Sequence, residues 1–154
     1  MTLDRGPLPH VSVATIVLRD GHLLFVEEHG QDGLVLNQPA GHLECGETLQ
    51  EAAIRETQEE SGWTVRLTHL VGIYQWRTPS GQDYVRIAFA AEALSHDADQ
   101  ALDEGIERAV WLTPSQMREQ SHRLRSPMVA ALVEDFLAGT RYPLSLAQSL
   151  NHEP

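Results

Sequence analysis

Lysine is missing altogether, so the 11 basic residues are all arginine. Its absence excludes a phosphate-loop lysine and any mechanism through a lysine Schiff base. Positive charge is scarce as well. Against 22 aspartates and glutamates the formal net charge is −11, with no basic stripe, which excludes nonspecific binding to a polyanionic duplex. A single cysteine, Cys45, leaves no intrachain disulfide and fits a reducing cytoplasm, the expected location. No paired base stands near Cys45, so it reads as incidental rather than nucleophilic. No apolar run is long enough to cross a bilayer, and Met1 to Pro9 lacks the apolar stretch of a signal peptide. The eight histidines are scattered without ligand spacing, which argues against zinc. Repeats, low-complexity segments and long linkers are absent too. At 154 residues and 42% hydrophobic, the chain is expected to form one domain over 1–154, with a core at about 8–140 and a tail at 141–154.

What is present begins with a hairpin signal. His10 to Arg19 alternates and is rich in valine and isoleucine, Asp20-Gly21 makes a tight turn, and His22 to Glu28 returns. A polar loop leads to a short strand near Leu34 to Leu36 and on to Asn37-Gln38-Pro39-Ala40-Gly41. A helix is expected from Leu49 to about Ser61, because Thr48 with Glu51 forms a capping-box pattern and Gly62 is a natural stop. Further strands are expected at Thr64 to Trp76, Tyr84 to Ala93 and Ile106 to Leu112. Thr113-Pro114-Ser115 starts a second helix, and Ser126 to Leu137, closed by Gly139, makes a third. Strands, one helix, more strands and two terminal helices indicate an α/β fold, a mixed sheet between helices.

The chemistry lies in the first helix. Leu49, Ala52 and Ala53 mark its apolar face, and the same face continues to Glu56 and Glu60 with Glu59 beside them. Like charges so close repel, and they are costly when desolvated unless a cation sits among them. A solvated acidic helix end is the ordinary reading of such a run, and its surroundings argue otherwise. Gly41, five residues, Glu47, seven residues, then Arg55-Glu56-Thr57-Gln58-Glu59-Glu60-Ser61-Gly62-Trp63 resembles the signature of the Nudix hydrolases, Gly-x5-Glu-x7-Arg-Glu-U-x-Glu-Glu-x-Gly-U, where U is bulky and apolar. One U position holds Thr57, which adds a hydroxyl to a site that the family buries. Weaker likenesses at His10 to Ala14, Asn37 to Glu44, Tyr74 to Trp76, Leu124 to Pro127 and Arg141 to Leu144 resemble the NudJ subgroup of bacterial phosphatases.

The resemblance implies a Nudix fold and hydrolysis of a phosphoanhydride bond. Phosphate would be released from nucleoside di- or triphosphates, or from the diphosphates of thiamine and its hydroxymethylpyrimidine precursor. It implies Mg2+, with Mn2+ possible, held by Glu56, Glu59, Glu60 and a backbone carbonyl at Gly41 or its neighbour. Arg55 would pair with Glu47 and hold the loop against the helix. In several family members a glutamate outside the signature takes the proton; Asp103, Glu104 and Glu107 are the candidates, Glu104 foremost, beside Glu56 itself.

Candidate substrate-binding residues are Trp76 and Tyr74, which share a strand face and could stack on a base. Arg125, before a helix N-terminus, suits a phosphate, and Gln38 and Arg86 are further candidates. Core packing is the competing fate of the rings, a surface salt bridge that of Arg125. The expected partner is a small di- or triphosphate rather than a nucleic acid or membrane, with the chain a monomer or homodimer. Alternatives are a pyrophosphatase of nucleoside-diphosphate sugars or dinucleoside polyphosphates, and a noncatalytic nucleotide-sensing module. A calcium-binding helix pair fails for want of an Asp-rich loop.

Overall fold

The structure is a computed structural model describing residues 6–150; the outermost ends of the expected domain, 1–5 and 151–154, lie outside the described residues. The hairpin forms as its sequence requires. Strand β1 (His10–Arg19) turns at Asp20-Gly21, both at positive φ, into β2 (His22–Gly30). The two strands pair only beside the turn, at Leu18↔Leu23 and Arg19↔His22, and then part. β1 pairs antiparallel with β4 (Ala40–His42) and parallel with β6 (Asp83–His96), which pairs with β5 (Trp63–Arg77). β2 takes β3 (Gly33–Asn37) on one side and β7 (Ile106–Leu112) on the other, both antiparallel.

Helices cover both faces. Alternation along β1 and β6 sends Val13, Ile87 and Phe89 to one side, where they pack on Ala52 and Ala53 of α1 (Leu49–Ser61). It sends Ala14, Ile16, Ala88 and Ala90 to the other, against Val129, Leu132 and Val133 of α3 (Pro127–Leu137) and Met117 of the short α2 (Pro114–Glu119). The mixed sheet between helices is therefore the expected architecture. The element missed is β4, read as loop. It has three residues and no alternation, and it exists because Ser12, Val13 and Ala14 offer it a ladder.

The Thr57 departure finds a local answer. Its hydroxyl donates to the Ala53 carbonyl at 2.7 Å and meets the Thr15 hydroxyl of β1 at 2.7 Å, so both buried threonines are satisfied. A second threonine on the facing strand replaces the apolar contact.

Candidate active site

Helix α1 starts and stops where its sequence places it. Thr48 accepts from the Glu51 amide at 3.1 Å, the Glu51 side chain accepts from the Thr48 amide at 2.7 Å, and Gly62 closes the helix at φ 74°. Arg55 then organises the carboxylates. Its Nε and Nη2 donate to the two oxygens of Glu47 at 2.9 and 2.7 Å, Nη1 donates to Glu56 at 3.0 Å and Glu59 at 3.1 Å, and Nη2 also reaches the His42 carbonyl at 3.2 Å. The guanidinium binds the loop to the helix, as expected, and holds two acidic side chains in place. Glu47 is pulled below the ordinary carboxylate range by that fork, and Arg55 is raised mainly by Glu47.

Gly41 has a steric role that the sequence reading did not foresee. It sits in β4 beside α1, and a Cβ there would overlap the Glu56 carboxyl group. The left-handed backbone of this loop falls at Gly46, at φ 86°.

The carboxylates divide differently from the expected trio. Among the described residues, Glu56, Glu59 and Asp103 bring one oxygen each to within 4.8 Å of one another. Asp103 is fixed there because its amide donates to the Glu59 carbonyl at 3.1 Å, which pins the loop before β7 to α1. Glu104, the foremost outside candidate, is exposed and outside this group, and Glu107 pairs with His29 at 3.0 Å. Glu60 lies deeper, 6% exposed, with Oε2 lacking a partner. Burial, then Glu28 and Glu56, push its carboxyl up to about 9, and burial also raises Glu56 against the opposing pull of Arg55. Hard carboxylate oxygens, with a buried one unsatisfied, fit a magnesium- or manganese-type ion.

Of these groups, Glu56 and Glu60 open on a groove of about 1140 Å³, reached by both halves of the divided hairpin. Glu56 and Glu60 line one part, Trp76, Tyr84 and Arg125 the rim, and Arg86 the floor. Two expected pocket residues are elsewhere. Tyr74 shares Trp76's sheet face, but its hydroxyl donates to Asp135 of α3 at 2.6 Å and its ring packs on the core beneath that helix. Gln38 is fully buried and donates to the Val129 carbonyl at 2.9 Å, fastening α3 rather than lining the groove. Arg125 is half exposed, with Nε 3.5 Å from Glu28. The sequence reading missed Tyr84. Its signal was the alternation of β6, which places it two residues before Arg86 and opposite Trp76. His42 meets His10 at 3.1 Å, and His10 stacks on Tyr84, extending an aromatic rim.

The comparisons agree with this geometry. The NUDIX domain matches residues 8–132. The chain belongs to the NUDIX domain family. It is 38% identical over 143 residues to the phosphatase NudJ of Escherichia coli strain K12, covering 93% of each chain, and equally to that of Shigella flexneri. The solved structure of a NUDIX hydrolase from Nitrosomonas europaea superposes with a TM-score of 0.90 at 40% identity, covering 95% of this chain and all of that one. The protein is thus a Nudix hydrolase, an enzyme of a family acting on small phosphate compounds and using divalent metal. Among the described residues no helix is long and apolar enough to cross a membrane.

Proposed function

We propose that this hydrolase removes phosphate from nucleoside di- or triphosphates, or from thiamine or hydroxymethylpyrimidine diphosphate, in a Mg2+-dependent reaction. The observation that supports it most is the convergence of Glu56, Glu59 and Asp103, of which Glu56 also lines a groove that carries an aromatic rim and arginines. Bound there, a dication such as magnesium neutralises phosphoryl oxygens and lowers the pKa of an attacking water. Glu56, Glu59 and Asp103 would hold it, with Glu60 and the Gly41 carbonyl as further ligands. Arg55 keeps these carboxylates in register without touching substrate. Arg125, before the N-terminus of α3, faces the phosphate chain. Trp76 and Tyr84 offer ring faces to the organic group. Glu56 and Asp103, rather than Glu104, are the proposed proton acceptors. On this reading the chain is one catalytic domain working in the cytoplasm, as a monomer or homodimer.

The test is a panel of thiamine and hydroxymethylpyrimidine diphosphates, nucleoside di- and triphosphates, ADP-ribose and diadenosine polyphosphates with magnesium. Free phosphate is measured before and after adding an auxiliary phosphatase. Direct release from the terminal diphosphates is expected. Release only after the auxiliary enzyme would replace this reading with cleavage of an internal pyrophosphate linkage.

A further inference from the structure

The floor of the groove is built from polar groups that the protein itself leaves unmatched. Arg86 on β6 is 6% exposed and makes one hydrogen bond, from Nη1 to Asn37 Oδ1 at 3.2 Å. Among the described residues neither its Nε nor its Nη2 has a partner, although a guanidinium carries five N–H donors. Two further buried hydroxyls lining the groove, Ser12 of β1 and Ser126 before α3, also lack partners. Ser12 sits opposite Arg86 in the parallel β1–β6 ladder. Buried polar atoms are nearly always satisfied, and leaving one alone is costly. Several on one wall mark a place where a ligand supplies the missing acceptors.

The surroundings say which part of a substrate that is. Glu28 offsets the Arg86 charge more strongly than the nearby Arg125 adds to it, and Asn37, which accepts from Arg86, donates to Glu28 at 3.2 Å. A phosphate brought here would be repelled by Glu28, whereas a neutral acceptor would not. Tyr84 precedes Arg86 by two residues on the same strand face and lies opposite Trp76, so the free donors adjoin the aromatic rim. A planar ring on that rim would turn its edge toward Arg86.

Resting on the hydrolase reading above, we propose that Arg86 is the specificity-determining residue for the organic head group and selects rings with an oxo acceptor, as in guanine, over rings with an amino group there, as in adenine. The free Nε and Nη2 present two parallel N–H donors, the arrangement that matches two adjacent ring acceptors. Ser12 and Ser126 line the same groove as further donors.

The test separates binding from turnover. Calorimetric titration of the protein in the presence of magnesium with guanosine and adenosine 5′-monophosphates should show the guanine nucleotide bound about tenfold more tightly or better. Arg86→Lys, which keeps the charge and loses the fork, should abolish the difference, and the ratio of kcat/KM for GDP over ADP should fall by roughly ten- to hundredfold. Thermal melting checks that the variant is folded. If it is not, the wild type decides by comparison of guanosine 5′-monophosphate with 2-aminopurine riboside 5′-monophosphate, which keeps the ring and amino group and lacks the oxo oxygen; the analogue should bind about tenfold more weakly. Equal affinities, no binding of any of these nucleotides, or a preference that survives in folded Arg86→Lys would overturn the assignment. A guanine preference in a protein that hydrolyses nothing on the panel would instead sustain it and defeat the hydrolase reading.

Discussion

Helices α1 and α3 cover opposite faces of one sheet and are held to it by different forces. α3 buries Met128, Val129, Leu132 and Val133, and its N-cap Ser126 makes no capping hydrogen bond. Apolar area and close packing secure it. α1 buries only Ala52 and Ala53 among apolar residues and then Thr57, Glu60 and Ser61. It depends on directional bonds: the Thr48–Glu51 box, the Gly62 cap, the Thr15–Thr57 contact and the Arg55 network. One helix supplies stability, and the other spends polar contacts on aiming carboxylates. Changes on α3 should therefore be felt first in melting, and changes on α1 first in turnover.

The widest separation is expected from Glu59→Gln. Loss of a carboxylate from the acidic cluster should lower kcat/KM by on the order of a hundredfold or more. The melting midpoint in chelator should stay level or rise, because repulsion with Glu56 is relieved. A sharp fall in that midpoint would mean that the Arg55 pair with Glu59 outweighs this repulsion. The mirror experiment is Leu132→Ala, a fully buried side chain of α3. It should cost about 2–5 kcal/mol in denaturant unfolding and leave kcat/KM of the folded fraction nearly unchanged.

Arg55→Lys sharpens the comparison, since it keeps the charge and loses the fork to Glu47. We expect roughly 2–3 kcal/mol of destabilisation, below the range for a fully buried pair because the Arg55 side chain keeps 23% of its surface in solvent. Activity should drop with it as Glu56 and Glu59 lose their common partner. The smallest effect, read per pH unit, is a slope with pH. The Glu60 carboxyl is raised to about 9 in the folded chain against an ordinary 4.5, so between those values the folded state retains a proton that the unfolded state has released. Metal-free stability should thus fall as pH rises from about 4.5 to 9, by at most about 1.4 kcal/mol per unit from this group. Glu60→Gln should flatten the slope. Glu27 and Glu47, both lowered by arginine partners, act in the opposite sense and cost stability as the medium turns acid.

The same contrast explains what could be read from the chain before folding. α1 was legible nearly to the residue because capping box, helix face and terminal glycine are all local signals, and the fold class followed from the order of the elements. β4 was not, since three residues without alternation become a strand only when β1 lies alongside. In the site, the Arg55–Glu47 pair is a matter of loop and helix spacing and was legible. That Asp103 and not Glu104 joins Glu56 and Glu59 depends on the amide bond from Asp103 to Glu59, a contact across 44 positions that no spacing reveals. Tyr74 and Trp76 have the same alternation and differ only in what lies above them, α3 for one and open groove for the other. Gln38 sits inside a likeness that suggested a pocket, yet its amide is spent on the Val129 carbonyl.

The most direct measurement is calorimetric titration of magnesium or manganese into the wild type, Glu56→Gln and Asp103→Asn, each with a nonhydrolysable diphosphate analogue present. The account predicts ion uptake by the wild type and its weakening by tenfold or more in both variants, with all three proteins folded. Unchanged uptake in the variants, or none in the wild type, would contradict it.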